Sequence, residues 1–405
     1  MTPGDMAGDM ARPAGLPAPG LTRRALLRLA AGALPSALPS VLPSVPPGAL
    51  AATGPAAAAR PGDSSGAAPD RAGSATLFLC GDVMTGRGID QILPHPGDPR
   101  LCEPFVRSAA GYVERAEAAS GPIPRPVDAA YIWGDALDEL RRSRPDLRIV
   151  NLETSVTRSD DCQPKGINYR MDPDNIACLT AAGIDCCVLA NNHVLDWGRG
   201  GLLETLDALA AARVRSVGAG RTDAQAQAPA VLEMPGKGRL LLFAFGMPSA
   251  GVPRDWAAGR DRPGVNLLAD LSGRSADRIA AAAAAARRPG DLTAVSLHWG
   301  GNWGYRITRE ERRFAHRLID AGVDLVHGHS SHHVKGIEVH RGKPILYGCG
   351  DFLNDYEGIG GYEAYRSDLT LMYFPTIALA GGALLQLRLG PPQIRRIPLP
   401  RAARA

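Results

Sequence analysis

The C-x-x-C spacing is missing from this chain: none of its seven cysteines forms one, which argues against a zinc knuckle or ribbon. Aromatic residues make up only 5%, and Lys and Arg are scattered among acids at a net charge of +4. There is thus neither the basic stripe nor the stacking platform that nucleic acid needs, and no nucleic-acid partner is expected. No G-x-x-x-x-G-K-[ST] is present, and Gly81 to Gly88 lacks the Lys that would reach phosphates. No G-x-S-x-G elbow joins a strand to a helix, and Ser330-Ser331 lack that setting, which argues against a serine hydrolase. Long apolar runs are scarce too. The stretch from Leu29 to Leu50 is broken by Pro35, Pro39 and Pro43 and suits a spanning helix of roughly 20 residues poorly.

What is present is a chain of 405 residues, 45% hydrophobic, enough for a sizeable core. Its start differs from the rest: Ala, Pro, Gly and Ser dominate, and His and Cys are missing. Within it, Thr22-Arg23-Arg24-Ala25-Leu26-Leu27-Arg28 ahead of a mildly apolar run reads as a twin-arginine export signal, with Ala49-Leu50-Ala51 as an A-x-A cleavage site. The expectation is a signal over 1–51, a disordered linker over 52–74, one domain over 75–398 and a tail over 399–405. It places the protein in the periplasm, the cell envelope or outside the cell. The alternatives are a disordered tail with a chance Arg-Arg pair, or an uncleaved membrane anchor. Cys102 and Cys162, in polar loops, can pair; Cys80, Cys186, Cys187 and Cys349 read as small buried hydrophobes.

From residue 75 onward, short apolar runs alternate with helical patterns, the mark of an α/β domain. Strands are expected at 75–79, 147–150, 186–189, 240–245 and 293–297. Helices are expected at 173–182, 201–212, 274–288 and 308–321, with Asp172 and Gly183 as cap and stop of the first. Tyr112 to Trp133 reads as an insertion loop. After Gly336 the pattern turns to antiparallel strands separated by Gly and Pro.

Each strand stops at a polar cluster: Gly81-Asp82, Asn151-Leu152-Glu153, Asn191-Asn192-His193, His298-Trp299-Gly300 and His327-Gly328-His329-Ser330-Ser331-His332-His333. This is the edge where open α/β sheets place ligands. Of nine histidines, five (His193, His298, His327, His329, His332) follow predicted strands directly. Carboxylate and amide oxygens mixed with imidazoles suit a divalent ion such as manganese, zinc or iron(II). Asn192-His193 with Asp196 three residues on pairs a ligand with an oriented imidazole. His316, Arg313 and Arg317 read as the polar face of a helix, and His95 and His340 as surface residues. Trp299 and Trp303 flank a Gly-rich loop, either walling a cleft or covering the sheet edge.

In order, G-D-V-M-T-G-R (81–87), N-L-E (151–153), A-N-N-H-V-L-D-W-G (190–198), H-W-G (298–300), G-H-S-S-H-H (328–333) and Y-G-C-G-D-F (347–352) resemble the CapA family of poly-gamma-glutamate capsule biosynthesis proteins. That family is similar to calcineurin-like metallophosphoesterases. The resemblance implies a four-layer sandwich of two mixed β-sheets flanked by helices, and two divalent ions held by Asp82, Glu153, Asn192, His298, His329 and His332. It further implies His193 as general acid, oriented by Asp196. Met84 stands where the superfamily has a His, so one ion is expected to be weakly held or missing. Asn302 stands where a Glu is often found, and Arg87, Asn302 and Asp351 are expected to line the pocket. The implied activity is hydrolysis of a phosphoester or a gamma-glutamyl bond, with an anionic polymer or phosphoester as substrate and capsule-synthesis membrane proteins as partners. The alternative is a non-catalytic accessory that binds an anionic polymer or such partners through the old active-site cleft.

Overall fold

A strand that is apolar on both faces has to be covered on both, and β1 (Ser74–Val83) is of that kind: every residue but Thr76 is buried. The computed structural model describes residues 73–357, 359–366, 368–393 and 397–398. Along it follow β2 (Leu147–Leu152), β3 (Cys186–Val188), β4 (Arg215–Val217), β5 (Ala230–Met234), β6 (Gly238–Gly246), β7 (Leu292–His298), β8 (Leu325–His329), β9 (Ile337–His340), β10 (Lys343–Leu346), β11 (Asp351–Leu353), β12 (Met372–Ala378) and β13 (Leu384–Gly390).

The first sheet runs β13-β12-β1-β2-β3-β4, with β11 pairing the end of β1; the second runs β9-β10-β8-β7-β6-β5. Both are mixed. β1, β2, β3 and β4 are parallel neighbours, whereas β12 and β13 are antiparallel. In the second sheet β6, β7, β8 and β10 are parallel, with antiparallel β5 and β9 at the edges.

Alternation along the strands builds three cores. Leu77, Leu79, Ile149 and Val188 meet Leu242, Ala294 and Leu325 between the sheets. One residue on, Phe78 and Cys80 face outward under Leu179 and Leu202, while on the other side Val295 and Leu297 pack beneath Ile279, Phe314 and Leu318. The result is helices, sheet, sheet, helices, the four layers expected. Cys80, Cys178, Cys186, Cys187 and Cys349 are free and buried, as small core residues.

The helices start and stop where local chemistry dictates. Asp172 caps Pro173–Ile176 by accepting the Asp174 N–H, and Gly183 (φ +61°) follows the short helix Ala177–Ala181. Thr308 and Glu311 form a capping box ahead of Arg309–Asp320. Tyr112–Trp133 is not a plain loop. Ala110–Ser120 is a helix whose Tyr112, Val113 and Ala116 are buried, and Tyr131–Trp133 is a 3₁₀ turn. Only three of the helix's eleven residues are buried, too short an apolar signal to read as periodic. The expectations for 1–51, nearly all of 52–74, and 399–405 fall outside the described residues. Among those described, no helix is long and apolar enough to cross a membrane.

Cys102 and Cys162 form a disulfide across 60 residues. It ties the loop carrying Glu103, which binds Arg87, to the loop carrying Lys165, which reaches the site below. Replacing both cysteines by Ser is expected to lower unfolding stability by about 2–4 kcal/mol in urea titrations, with the unaltered chain under reducing agent giving the same loss.

Candidate metal centre

Asp82 owes its place to a close backbone contact. A Cβ on Gly81 would lie 1.6 Å from the carbonyl oxygen of Gly350, so only glycine lets β1 approach β11 and set Asp82 opposite Asp351. On its other side Asp82 stands opposite Asn151 of β2, which donates from Nδ2 to Asp82 Oδ1 (2.8 Å) and to Glu153 Oε2 (3.3 Å). The second sheet supplies imidazoles at the same edge, His298 being directly opposite His329.

The two sheet edges converge. His298 Nδ1 and His329 Nδ1 are 2.8 Å apart, His329 Nδ1 is 3.8 Å from Asp82 Oδ1, and His298 Nε2 is 3.9 Å from Glu153 Oε1. Asn192 Oδ1 lies 3.0 Å from His298 Nε2. All of these side chains except Asn192 are buried. Asp82, His298 and His329 each offer one ligand atom, all within 4.8 Å of one another. A modest inward shift closes that spread onto bonds of about 2.0–2.2 Å.

The electrostatics favour a cation. Burial and the charge of Asp351 push the Asp82 carboxyl up to about 7, and burial with the nearby Asp82 raises Glu153 well above the carboxylate range. Burial and neighbouring imidazoles hold His298 and His329 well below the usual histidine value, in the neutral form that carries a free lone pair. Crowded acids beside neutral imidazoles are what a divalent ion relieves and binds.

His193 sits at the rim of this group. Its Nδ1 is 2.7 Å from Asp196 Oδ2, and its Nε2 faces Glu153 Oε1 at 3.7 Å. Asn191 holds the loop by accepting the N–H groups of His193 and Val194 and donating to Leu152 O. Lys165 Nζ bonds Asp196 Oδ1 at 2.7 Å and lies 3.3 Å from His193 Nδ1. Tyr169 packs edge-on against the ring, 4.6 Å between centroids. Burial, helped by Lys165, lowers His193 to about 4.

His332 completes the far side through Nδ1, 2.9 Å from Asp351 Oδ1, and Asp351 raises its pKa against the effect of burial. Asp351 thus orients an imidazole, in the manner of the carboxylate partners of metal-bound histidines. Ser330, between His329 and His332, has φ +98°, donates its N–H to Asp82 Oδ2 (3.2 Å) and leaves its Oγ unbonded. A left-handed non-glycine residue here is strain at the site itself. Met84 is buried, and its sulfur takes the Tyr356 hydroxyl at 3.6 Å.

The three pocket-lining expectations resolve differently. Asp351 faces the group. Arg87 is buried behind it, bound to Glu103, Asp355 and Tyr112 and stacked on the Tyr112 and Tyr169 rings, and its charge helps to lower the His193 pKa. Asn302 contributes its backbone carbonyl, which accepts the His332 N–H at 3.0 Å. Asn151, Asn191 and Lys165 carried no expected role; the two asparagines stand inside quoted motifs, whereas Lys165 lies in an aperiodic loop.

His327 is a strut between the sheets: Nε2 bonds the Cys80 carbonyl at 2.8 Å and Nδ1 pairs with Ser296 Oγ at 3.1 Å. Burial lowers it to about 4. Folded chains therefore leave it neutral while unfolded chains protonate it near 6.5. Its contribution is complete above that value and is lost as pH falls from about 6.5 to about 4, by up to about 3 kcal/mol. Urea titrations across this window are expected to show a shallower loss in His327→Gln than in the unaltered chain.

The family described as bacterial capsule synthesis protein PGA_cap matches residues 76–356. A probable polyglutamine synthesis accessory protein of Mycobacterium tuberculosis is 50% identical over 330 residues, covering 81% of this chain and 87% of that one. The PGA biosynthesis protein CapA of Bacillus subtilis is 26% identical over 295 residues, covering 72% and 66%. A crystal structure described as a novel phosphatase of Mycoplasma pneumoniae overlays with a TM-score of 0.43 at 12% identity, covering 78% of this chain and 93% of its own.

Proposed function

The chain belongs to the bacterial capsule synthesis protein family, and from that premise we propose that it is an exported hydrolase, dependent on a divalent metal, that acts on poly-gamma-glutamate or on a phosphoester tied to its assembly. The observation that carries the reading is the position of Glu153 Oε1, 3.7 Å from His193 Nε2 and 3.9 Å from His298 Nε2. An imidazole braced by a carboxylate and a group of metal-ligand type face one carboxyl oxygen.

Asp82, Glu153, Asn192, His298, His329 and His332 would hold one or two ions, the Met84 side more weakly since a thioether suits a hard ion poorly. A bound divalent ion supplies Lewis acidity and a nucleophilic water at neutral pH. The chain's own groups do the rest. Asp196 accepts the His193 Nδ1 proton and so leaves the Nε2 lone pair facing the cleft. Held neutral, His193 takes the proton that the attacking water loses and returns it to the leaving atom, the work of both base and acid. Lys165 holds Asp196 and Tyr169 packs against the ring, with Arg87 fixing Tyr169 from behind.

The test is turnover. The mature chain supplied with manganese is expected to hydrolyse either poly-gamma-glutamate or an aryl phosphodiester. A protein that holds metal yet cleaves neither overturns the catalytic reading. One observation favours the second reading, an accessory that binds an anionic polymer or synthesis partners: Met84 fills a ligand position with a sulfur already engaged by Tyr356.

A further inference from the structure

We propose that the outer edge of the second sheet carries a separate divalent-metal site built from His316, Glu338 and His340. Each offers one ligand atom, and all of these atoms lie within 4.8 Å of one another. The chain places them by simple periodicity. His316 and Asp320 are four apart on the helix Arg309–Asp320 and share a face; Glu338 and His340 are two apart on β9 and share a face. Helix and edge strand turn these faces toward each other. His316 Nε2 is 2.8 Å from Glu338 Oε1, His340 Nε2 is 2.8 Å from Asp320 Oδ1, and the two imidazoles lie parallel, 3.9 Å between centroids with 3° between planes, so one ring turns about its Cβ–Cγ bond to bring both lone pairs onto one ion.

The carboxylate is also braced. Tyr347 donates its hydroxyl to Glu338 Oε2 at 2.7 Å, leaving Oε1 turned to His316, as partners of metal-bound carboxylates do. Asp320 is the fourth donor at hand. Its Oδ1 also takes the Nε of Arg341, whose side chain is 68% exposed and free to swing into water. Side chains of His316, Glu338 and His340 are 23–31% exposed, so an ion reaches them without unfolding. Two imidazoles with one or two carboxylates suit a borderline ion such as zinc, copper(II) or nickel(II) over magnesium or calcium. Bound there, the ion clips an edge strand, hydrogen-bonded on one side only, to the helix beside it. Nothing in this depends on the catalytic reading.

The experiment uses the full chain stripped with chelator and loaded with zinc alone, counting retained zinc after gel filtration and measuring affinity by titration calorimetry. An Asp82→Ala/His298→Ala background silences the other centre. In that background one zinc equivalent is expected to remain, and adding His340→Ala or His316→Gln is expected to remove it or weaken it at least about tenfold. Melting in chelator, unchanged by His340→Ala, shows that the fold is intact; His340→Gln, which keeps the Asp320 hydrogen bond, serves if it is not. No zinc in the silenced background, or the same zinc and affinity after His340→Ala and His316→Gln, overturns the site.

Discussion

Asp82→Asn abolishes tight divalent-metal binding and at the same time stabilises the metal-free fold above pH 7. The two effects have one cause. Asp82 is fully buried beside Glu153 and Asp351, and its carboxyl is raised from 3.8 to about 7. Between those values the folded chain holds a proton that the unfolded chain has released, so the stability tied to protonated Asp82 is present at low pH and lost as pH rises through about 7. Above that, the buried charge costs on the order of a few kcal/mol unless a cation answers it. An amide keeps the shape and removes the charge. At pH 8 in chelator the variant is expected to melt roughly 5 °C above the unaltered chain, and added manganese, which raises the melting point of the unaltered chain, is expected to leave it unmoved. A variant that melts lower in chelator and still responds to manganese contradicts the arrangement.

His193→Ala should do the reverse, keeping metal and losing turnover. The ring touches Glu153 only across 3.7 Å, and its firm bond is to Asp196, whose other oxygen takes Lys165. Removing it leaves Asp82, His298 and His329 in place, so metal content by mass spectrometry is expected to stay within about twofold, whereas hydrolysis falls about 10²–10⁴-fold, the usual worth of a positioned acid or base. If turnover survives, proton transfer lies elsewhere. If biological activity survives while no turnover is found in either protein, the accessory reading takes its place.

Much of the centre was legible because β-strands deliver residues in a fixed way. An apolar run followed by Asp82, by Asn151 to Glu153, by His298 or by His329 announces both the strand and the group at its end, and parallel pairing brings those ends to one edge. Contacts made by loops were not legible. Lys165 follows Cys162 in a segment with no period and meets His193 only through tertiary structure, with the Cys102–Cys162 bond beneath it. The helix Ala110–Ser120 buries only Tyr112, Val113 and Ala116 and so lacks a long apolar stripe. His316 and His340, read as surface residues one by one, gain a joint meaning only when a helix face and a strand face are set against each other. Arg87 shows the opposite failing: a cation inside a site motif turns out to be committed to Glu103 and Asp355.

The most direct test of the centre is an anomalous difference map from crystals of the domain soaked in manganese. A peak about 2.0–2.2 Å from carboxylate or imidazole atoms of Asp82, His298 and His329, with Glu153 alongside, is the result predicted. A map with no peak among these side chains, or with manganese bound only elsewhere, contradicts the assignment of this edge of the two sheets as a metal centre.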